Sequence, residues 1–311
     1  MASDMVQLLK TAFIGWWNDR AMSLGASIAF FTVFSLAPML LAAIAVAALA
    51  FGREAAQGAI VTELGGLIGG SSAAAIEALI VSASNVGSGI VGTAIGLTTF
   101  LLLVTGAVVE LQDDLNIIWK VKAPEAYGIM AFIRTRLLSL AFVLGIGFLL
   151  MASLIIDTGL SALGAYLEAG FSGAKTVLWV LNSLVAFAVS TLLFAMIFKV
   201  LPAVRLTWHD VAAGAVVTAL LFTIGKFLIG YYLGRSGVAS AYGAAASIIT
   251  ILLWIYYSAL ILLFGAEFTK AYAENRGSRR DKAHHPSDEA NPVERAAPAL
   301  ALQSNRPTSS S

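Results

Sequence analysis

Residues 236–266 read SGVASAYGAAASIITILLWIYYSALILLFGA, a run with no Asp, Glu, Lys or Arg anywhere in it. A helix rises about 1.5 Å per residue, so roughly 20 apolar residues suffice to cross a hydrocarbon core about 30 Å thick. This run is longer than that, and it is not alone. Charge-free runs also cover 21–52, 78–109, 137–156 and 176–198, and a sixth at 211–234 is interrupted only by Lys226. The spacing predicts an all-α fold: a polytopic membrane bundle with transmembrane helices at about 27–51, 89–111, 137–159, 176–199, 211–233 and 244–268, six spans in all.

Composition points the same way. The chain is 59% hydrophobic and 12% charged, with a mean hydropathy of +0.86, whereas a soluble domain is about 25% charged. A net charge of +1 offers no basic face for a polyanion, so no nucleic-acid partner is expected. With no cysteine, the chain can form neither disulfides nor thiolate metal sites. The first apolar run is too long for the core of a cleaved signal peptide and contains Pro38, so it reads as a retained span.

Lysine and arginine placement sets the expected orientation. With a cytoplasmic N-terminus, the inner segments hold fifteen of them and the outer segments only Arg53, Lys175 and Arg235, a strong positive-inside bias. Both termini are therefore expected in the cytoplasm. Residues 1–26 read as an interfacial helix, with Val6, Leu9, Phe13, Trp16 and Trp17 at helical spacing beside Lys10. The first outer loop predicts two short amphipathic helices separated by Gly65, Gly66, Gly69 and Gly70. Residues 269–311 read as a disordered cytoplasmic tail, because large apolar side chains nearly vanish from Glu274 onward.

The candidate functional residues are the polar ones a bilayer normally rejects. Lys226 in the fifth span needs a partner or water. Asp157, at a similar expected depth, is proposed as its pair or as a second wall of an outward cavity, the alternative being a lysine that snorkels to headgroups. Glu110 and Glu267 fall at inner ends of spans and are expected to accept from Arg134, Arg136 or Lys199 in a charged ring, either a cavity mouth or a structural clamp. Pro38 predicts a kink in the first span, with Thr32 and Ser35 near enough to satisfy freed carbonyls. Asn182 suits an interhelical hydrogen bond or a cavity wall. Trp254, Tyr256 and Tyr257 lie too deep for an interfacial belt, so their polar atoms need internal partners or a polar cavity. Gly92-xxx-Gly96 and Gly230-xxx-Gly234 suit close helix packing.

Enzymatic readings find little support. Gly87–Gly92 matches a dinucleotide fingerprint in letters only, since no strand precedes it. His209 beside Asp210 offers a proton shuttle, although Asp210 is also what a helix's first turn favours. His284 and His285 lack further ligands. No metal site, cofactor or nucleophile triad can be assembled.

Several blocks together resemble the YihY/BrkB family of bacterial inner-membrane proteins, once labelled ribonuclease BN. They are Ser27–Pro38, Leu115-Asn116-Ile117-Ile118-Trp119, Phe198-Lys199-Val200-Leu201-Pro202 with Trp208, Asp210, Val211 and Gly214, Tyr242-Gly243, Leu253–Ser258, and Gly265-Ala266-Glu267. The resemblance covers about residues 10–273. It implies a six-span membrane protein tied to virulence and envelope biology, with export of lipid or envelope precursors in some members. A ribonuclease is not expected, for want of clustered acids and a basic groove. The combined expectation is a non-enzymatic translocation path for a lipid or other amphipathic envelope molecule. The rival is a structural or assembly partner in an envelope complex, with homo-oligomers or envelope proteins as partners beside membrane lipids.

Overall fold

The computed structural model describes residues 2–68, 70–84, 90–121, 136–149, 174–235 and 246–279, with a few isolated positions between 133 and 159. Among these, nine helices and no strands occur: α1 (Ala2–Asn18), α2 (Ala21–Phe51), α3 (Arg53–Ile68), α4 (Gly70–Ser84), α5 (Ile90–Ile118), α6 (Arg136–Leu149), α7 (Ala174–Val200), α8 (Trp208–Arg235) and α9 (Ala246–Asn275). Four stretches are long and apolar enough to cross a membrane: Ala21–Leu41, Thr176–Val200, Trp208–Leu228 and Ala246–Asn275. The expected spans at 89–111 and 137–159 correspond to α5 and to α6, the latter described only through Leu149.

Two boundaries differ from the sequence reading. The interfacial segment expected over 1–26 is α1 alone, because Arg20 takes a left-handed conformation (φ 55°) and α2 starts at Ala21. That conformation ends one helix and lets the next begin at a new angle. The tail expected from 269 is also displaced, since α9 runs to Asn275 and residues through Arg279 are held. Amides of Arg276 and Gly277 close on the Tyr272 carbonyl and that of Arg279 on Ala273, capping the helix end. Residues 280–311 lie outside the described residues, as do Tyr242 and Gly243.

Cross-links at helix ends show that the helices alternate in direction. Lys120, just past α5, pairs with Asp19 at the start of α2. Asn116 near the end of α5 accepts from the Ala203 amide in the α7–α8 connection (2.8 Å), and Asp210 in the first turn of α8 accepts from Ser278 beyond α9. The starts of α2 and α8 and the ends of α5, α7 and α9 therefore share one end of the bundle, called here the charged end. α1 lies across it, seating Leu8 and Ala12 against Phe268 and Ala271 of α9.

Packing inside the bundle relies on small residues, as expected where lipid removes most of the hydrophobic drive between helices. Along α8, Val211, Ala215, Thr218 and Ala219 have no exposed surface. They meet Leu263, Gly265, Ala266 and Thr269 of α9. The crossing is reciprocal: a Cβ on Gly214 would overlap the Thr269 side chain, and one on Gly265 would overlap Thr218. Each threonine hydroxyl donates to its own helix at i−4, Thr218 to Gly214 and Thr269 to Gly265, both at 2.7 Å. At the opposite end, α3 and α4 fold against α2 and α9 with Ile44, Ala47, Ala56, Ile76, Ile80 and Ile251 forming a second core. The outward faces stay apolar, with Phe30 and Phe34 of α2, Phe148 of α6, Leu184 of α7, Phe227 of α8 and Ile248 of α9 all exposed. Water would penalise such a surface, whereas hydrocarbon accepts it.

Candidate functional site at the charged end

Glu267 is the focus of this end. It stands one turn above the last turns of α9, is 3% exposed, and lies directly beneath Gly15 of α1. A Cβ at Gly15 would come within 2.5 Å of Glu267 Oε2, so α1 passes directly over that carboxyl and a larger residue would make it shift. Lys270 Nζ stands 3.9 Å from Glu267 Oε2. Asp19 is paired with Lys120 through Oδ1. α1 is also tied to α9 by the Trp16 indole, which donates to the Leu260 carbonyl (3.2 Å).

A second acidic group lies on the last turns of α5. Asp114 is 3% exposed and sits past the apolar run that ends at Val109. Burial, with Glu110 and Asp113 close by, pushes its carboxyl up to about 7, against an opposing hydrogen bond from Ser27. Burial and Glu110 likewise raise Asp113. Beside them Asn116 uses its Oδ1 on Ala203 and leaves Nδ2 without an acceptor among the described residues.

The third element is a latch. Asp210 is 1% exposed and its Oδ2 accepts from Thr207 Oγ1 (2.7 Å), Ser278 Oγ (2.5 Å) and the Ser278 amide (3.2 Å). The Asp210 amide reaches Thr207 Oγ1 at 3.4 Å, so the pair caps α8 in the capping-box manner. The same carboxylate thus starts α8 and holds the chain leaving α9. Arg279 then lies over the Trp119 ring (5.7 Å), and Arg276 pairs with Asp4 of α1 (2.6 Å). His209 faces the Tyr272 ring at 5.7 Å and is not part of this hydrogen-bonded set.

Of the cations expected in a charged ring, two have described partners. Arg136 donates to Thr105 Oγ1 of α5 (2.7 Å). Lys199 donates to the Leu206 carbonyl and lies over Trp208, because the α7–α8 loop folds back within its reach. Arg134 lies outside the described residues. Glu110 is half-buried among acids, and Glu267 has Lys270 one turn along α9. Ser35 sends its hydroxyl across to Leu103 of α5 (2.5 Å) rather than to a carbonyl freed by Pro38, and α2 continues through that buried proline.

Of the remaining candidates, Lys226 is half-buried with its ammonium 5.5 Å from the Phe227 ring; Asp157 lies outside the described residues. Asn182 is exposed on α7. Trp254 packs edge-on to Phe222 (6.2 Å), which packs on Phe194 (5.7 Å). Tyr257 lies against Gly225, where a Cβ would come within 2.7 Å of it, and Tyr256 lies near Gly25. The aromatic cluster is therefore divided between separate helix contacts. The surroundings of Gly92, Gly96, Gly230 and Gly234 lie outside the described residues, as do His284, His285 and Gly87 to Gly89.

Asp19, Asp114, Gly15 and Ser278 did not stand out in the sequence. The signal available for them was the polar pair Asp19-Arg20 between two apolar helices, which marks a helix break at the interface. The blocks that carried the family resemblance do converge. Leu115, Ile118, Trp119, Phe198, Leu201, Val211 and Ala266 share one core, immediately behind Asn116, Asp210 and Glu267.

Comparison with known proteins agrees with that convergence. The family model described as Virulence factor BrkB matches residues 12–290. A UPF0761 membrane protein of Rhodospirillum centenum is 31% identical over 284 residues, covering 89% of this chain and 60% of the relative. Others are a UPF0761 membrane protein of Tolumonas auensis, 30% identical with 62% of each chain covered, and one of Pseudomonas aeruginosa, 33% identical over 60% of this chain and 42% of the relative. The chain thus spans only about 60% of the length of the first two of these relatives. No solved structure matches. With the family match running through nearly all of the described helices and their outward faces apolar, the chain belongs to the BrkB family and is an integral membrane protein.

Proposed function

We propose that this protein is a six-span bacterial inner-membrane bundle, both termini cytoplasmic, that provides a translocation path for a lipid or other amphipathic envelope molecule. The observation that carries the reading is the incomplete satisfaction of buried polar groups at the charged end. Asp114 Oδ2, Asn116 Nδ2, Asp19 Oδ2 and Glu267 Oε1 are buried without a hydrogen-bond partner among the described residues. A finished clamp would pair them, because each such group costs about 1–3 kcal/mol. Groups held ready for a polar headgroup, water or a proton account for that cost. The apolar outer faces supply the lipid contact on which loading from the bilayer depends. Membrane lipids are the partners in this reading; it involves no nucleic acid and no catalytic step.

The test is translocation of a fluorescent lipid in proteoliposomes containing the purified full chain. Wild type is expected to move the lipid across the bilayer, and Glu267→Ala, Lys226→Ala and Asp157→Ala to slow it. Wild-type vesicles indistinguishable from empty ones, with no effect of the substitutions, would argue against the path.

A structural or assembly role is favoured by one observation, the reciprocal Gly214–Thr269 and Gly265–Thr218 crossing together with the packed Trp254–Phe222–Phe194 stack. On that reading the polar residues hold helices together, and a stable envelope complex or homo-oligomer would be recovered from native membranes.

A further inference from the structure

Where α1 meets α2 the surface holds an open cavity of about 430 Å³, within the size range of small-molecule clefts. Its floor is apolar, formed by the buried Trp16 and Ala21, while Trp17, Asn18, Arg20 and Ser23 stand exposed around it. Arg20 makes no ion pair, and neither Arg20 nor Asn18 makes a side-chain hydrogen bond, among the described residues. The adjacent acid does not neutralise the guanidinium, since the Asp19 side chain is 9% exposed and pairs with Lys120. The cavity also opens on the first turn of α2, which has no side-chain cap, so its amides and the helix dipole add to the positive character. A guanidinium flanked by amide and hydroxyl donors suits a phosphate ester. No acid lines the cavity to hold a headgroup amine, which favours an anionic headgroup over a zwitterionic one.

The cavity continues into an apolar stripe. Met22 on its wall is followed at every fourth residue by Ala26, Phe30 and Phe34, all exposed, with the last two rings 4.8 Å apart. Residues spaced by four share one helix face. From Met22 to Phe34 the stripe is about 18 Å long, against about 15 Å for one leaflet's share of the hydrocarbon core. α2 starts at the charged end and is apolar enough to span over Ala21–Leu41, so the stripe runs from headgroup depth into the leaflet. A soluble phosphate would use the cavity alone, whereas a phospholipid uses both.

We propose that the α1–α2 joint binds one anionic phospholipid, its phosphate on Arg20, Asn18 and Ser23 and an acyl chain along Met22, Ala26, Phe30 and Phe34. Trp17 on the rim places an indole at headgroup depth, where indoles are favoured. The site requires only that α2 crosses the bilayer, so it stands whether the bundle transports or scaffolds.

The test is native mass spectrometry of the purified full chain with added dioleoyl phosphatidylglycerol or, at the same concentration, dioleoyl phosphatidylcholine. For wild type the first phosphatidylglycerol is expected to bind about tenfold more tightly, the worth of one charge-assisted contact. Arg20→Asn removes the guanidinium but keeps a residue that tolerates the left-handed conformation, and should abolish the preference. Trp17→Ala leaves the left-handed residue in place, carries the same test independently, and should weaken phosphatidylglycerol several-fold. Lys10→Asn, exposed on α1 and outside the cavity, should keep the preference. In vesicles, phosphatidylglycerol with a photoreactive group midway along its acyl chain should crosslink to the Phe30–Phe34 segment, several-fold less in Arg20→Asn. Equal binding of the two lipids to wild type would overturn the proposal. So would an equal loss in Arg20→Asn and Lys10→Asn, which assigns the preference to overall charge, or displacement of the lipid by an equal concentration of inorganic phosphate, which makes this a site for a soluble anion.

Discussion

Replacing Gly214 with alanine tests the reciprocal crossing of α8 and α9. In isolation the change should help, because alanine is about 1 kcal/mol better than glycine inside a helix. The added methyl, however, would stand 2.8 Å from Thr269 Cβ and 3.2 Å from its Cα, with the hydroxyl nearer still. Thr269 has no exposed surface and its hydroxyl is committed to the Gly265 carbonyl, so a stiff β-branched side chain cannot turn away. Because a backbone atom is among the obstacles, the helices must separate, an overpacking cost of about 1–3 kcal/mol. The separation also loosens the partner contact of Gly265 with Thr218. The net expectation is a loss of about 1–2 kcal/mol, read as a thermal midpoint several degrees lower in nanodiscs. Thr269→Ala in the Gly214→Ala background should return part of it, but not all, since Cβ of residue 269 remains in the way. Gly58→Ala on α3, where an added Cβ meets nothing within 4 Å, should be neutral or stabilising by up to about 1 kcal/mol. A Gly214→Ala protein as stable as wild type, or one showing no coupling to Thr269→Ala, would refute the packing argument.

Three further outcomes follow from the charged end. Asp114 has its folded carboxyl raised to about 7 from an ordinary value of 3.8, so its contribution to stability is full below pH 4 and is lost as pH climbs through 7; Asp114→Asn should flatten the thermal midpoint across that window. Asn116→Ala should cost about 0.5–1.5 kcal/mol by removing the acceptor of the Ala203 amide, measurable as a lower melting temperature. Ser278→Ala or Asp210→Asn should free the segment after α9, seen as faster tryptic cleavage at Arg276 and Arg279 with the rest of the bundle intact.

How much of this was readable in advance depended on the kind of signal. The long apolar runs announce helices because a bilayer demands length and apolarity together, and α2, α7, α8 and α9 follow those runs closely. The first loop does hold two helices, but Gly65 and Gly66 lie within α3 and Gly70 begins α4, so only Gly69 falls between them. Side-chain partners were not visible. Lys199 and Arg136 had several acids in reach by sequence, and only the return of the α7–α8 loop and the position of Thr105 account for these two hydrogen bonds. Glu267 could be singled out as costly, but the segment that covers it, at Gly15, lies near the other end of the chain, brought there by the way α1 crosses α9. The lack of a side chain at Gly15 matters only at that crossing. Pro38 pointed to a local event in α2, whereas Ser35 serves the interface with α5.

In the proposed topology the chain traverses the bilayer six times with both ends on one side. Single cysteines at Ser3, Glu54 and Ser309 can be introduced without background, since the chain has none of its own. The most direct measurement is their labelling by a membrane-impermeant maleimide in spheroplasts and again after lysis. Glu54→Cys is expected to react in intact spheroplasts and Ser3→Cys and Ser309→Cys only once the membrane is broken; labelling of either terminal site from outside would contradict the six-span topology.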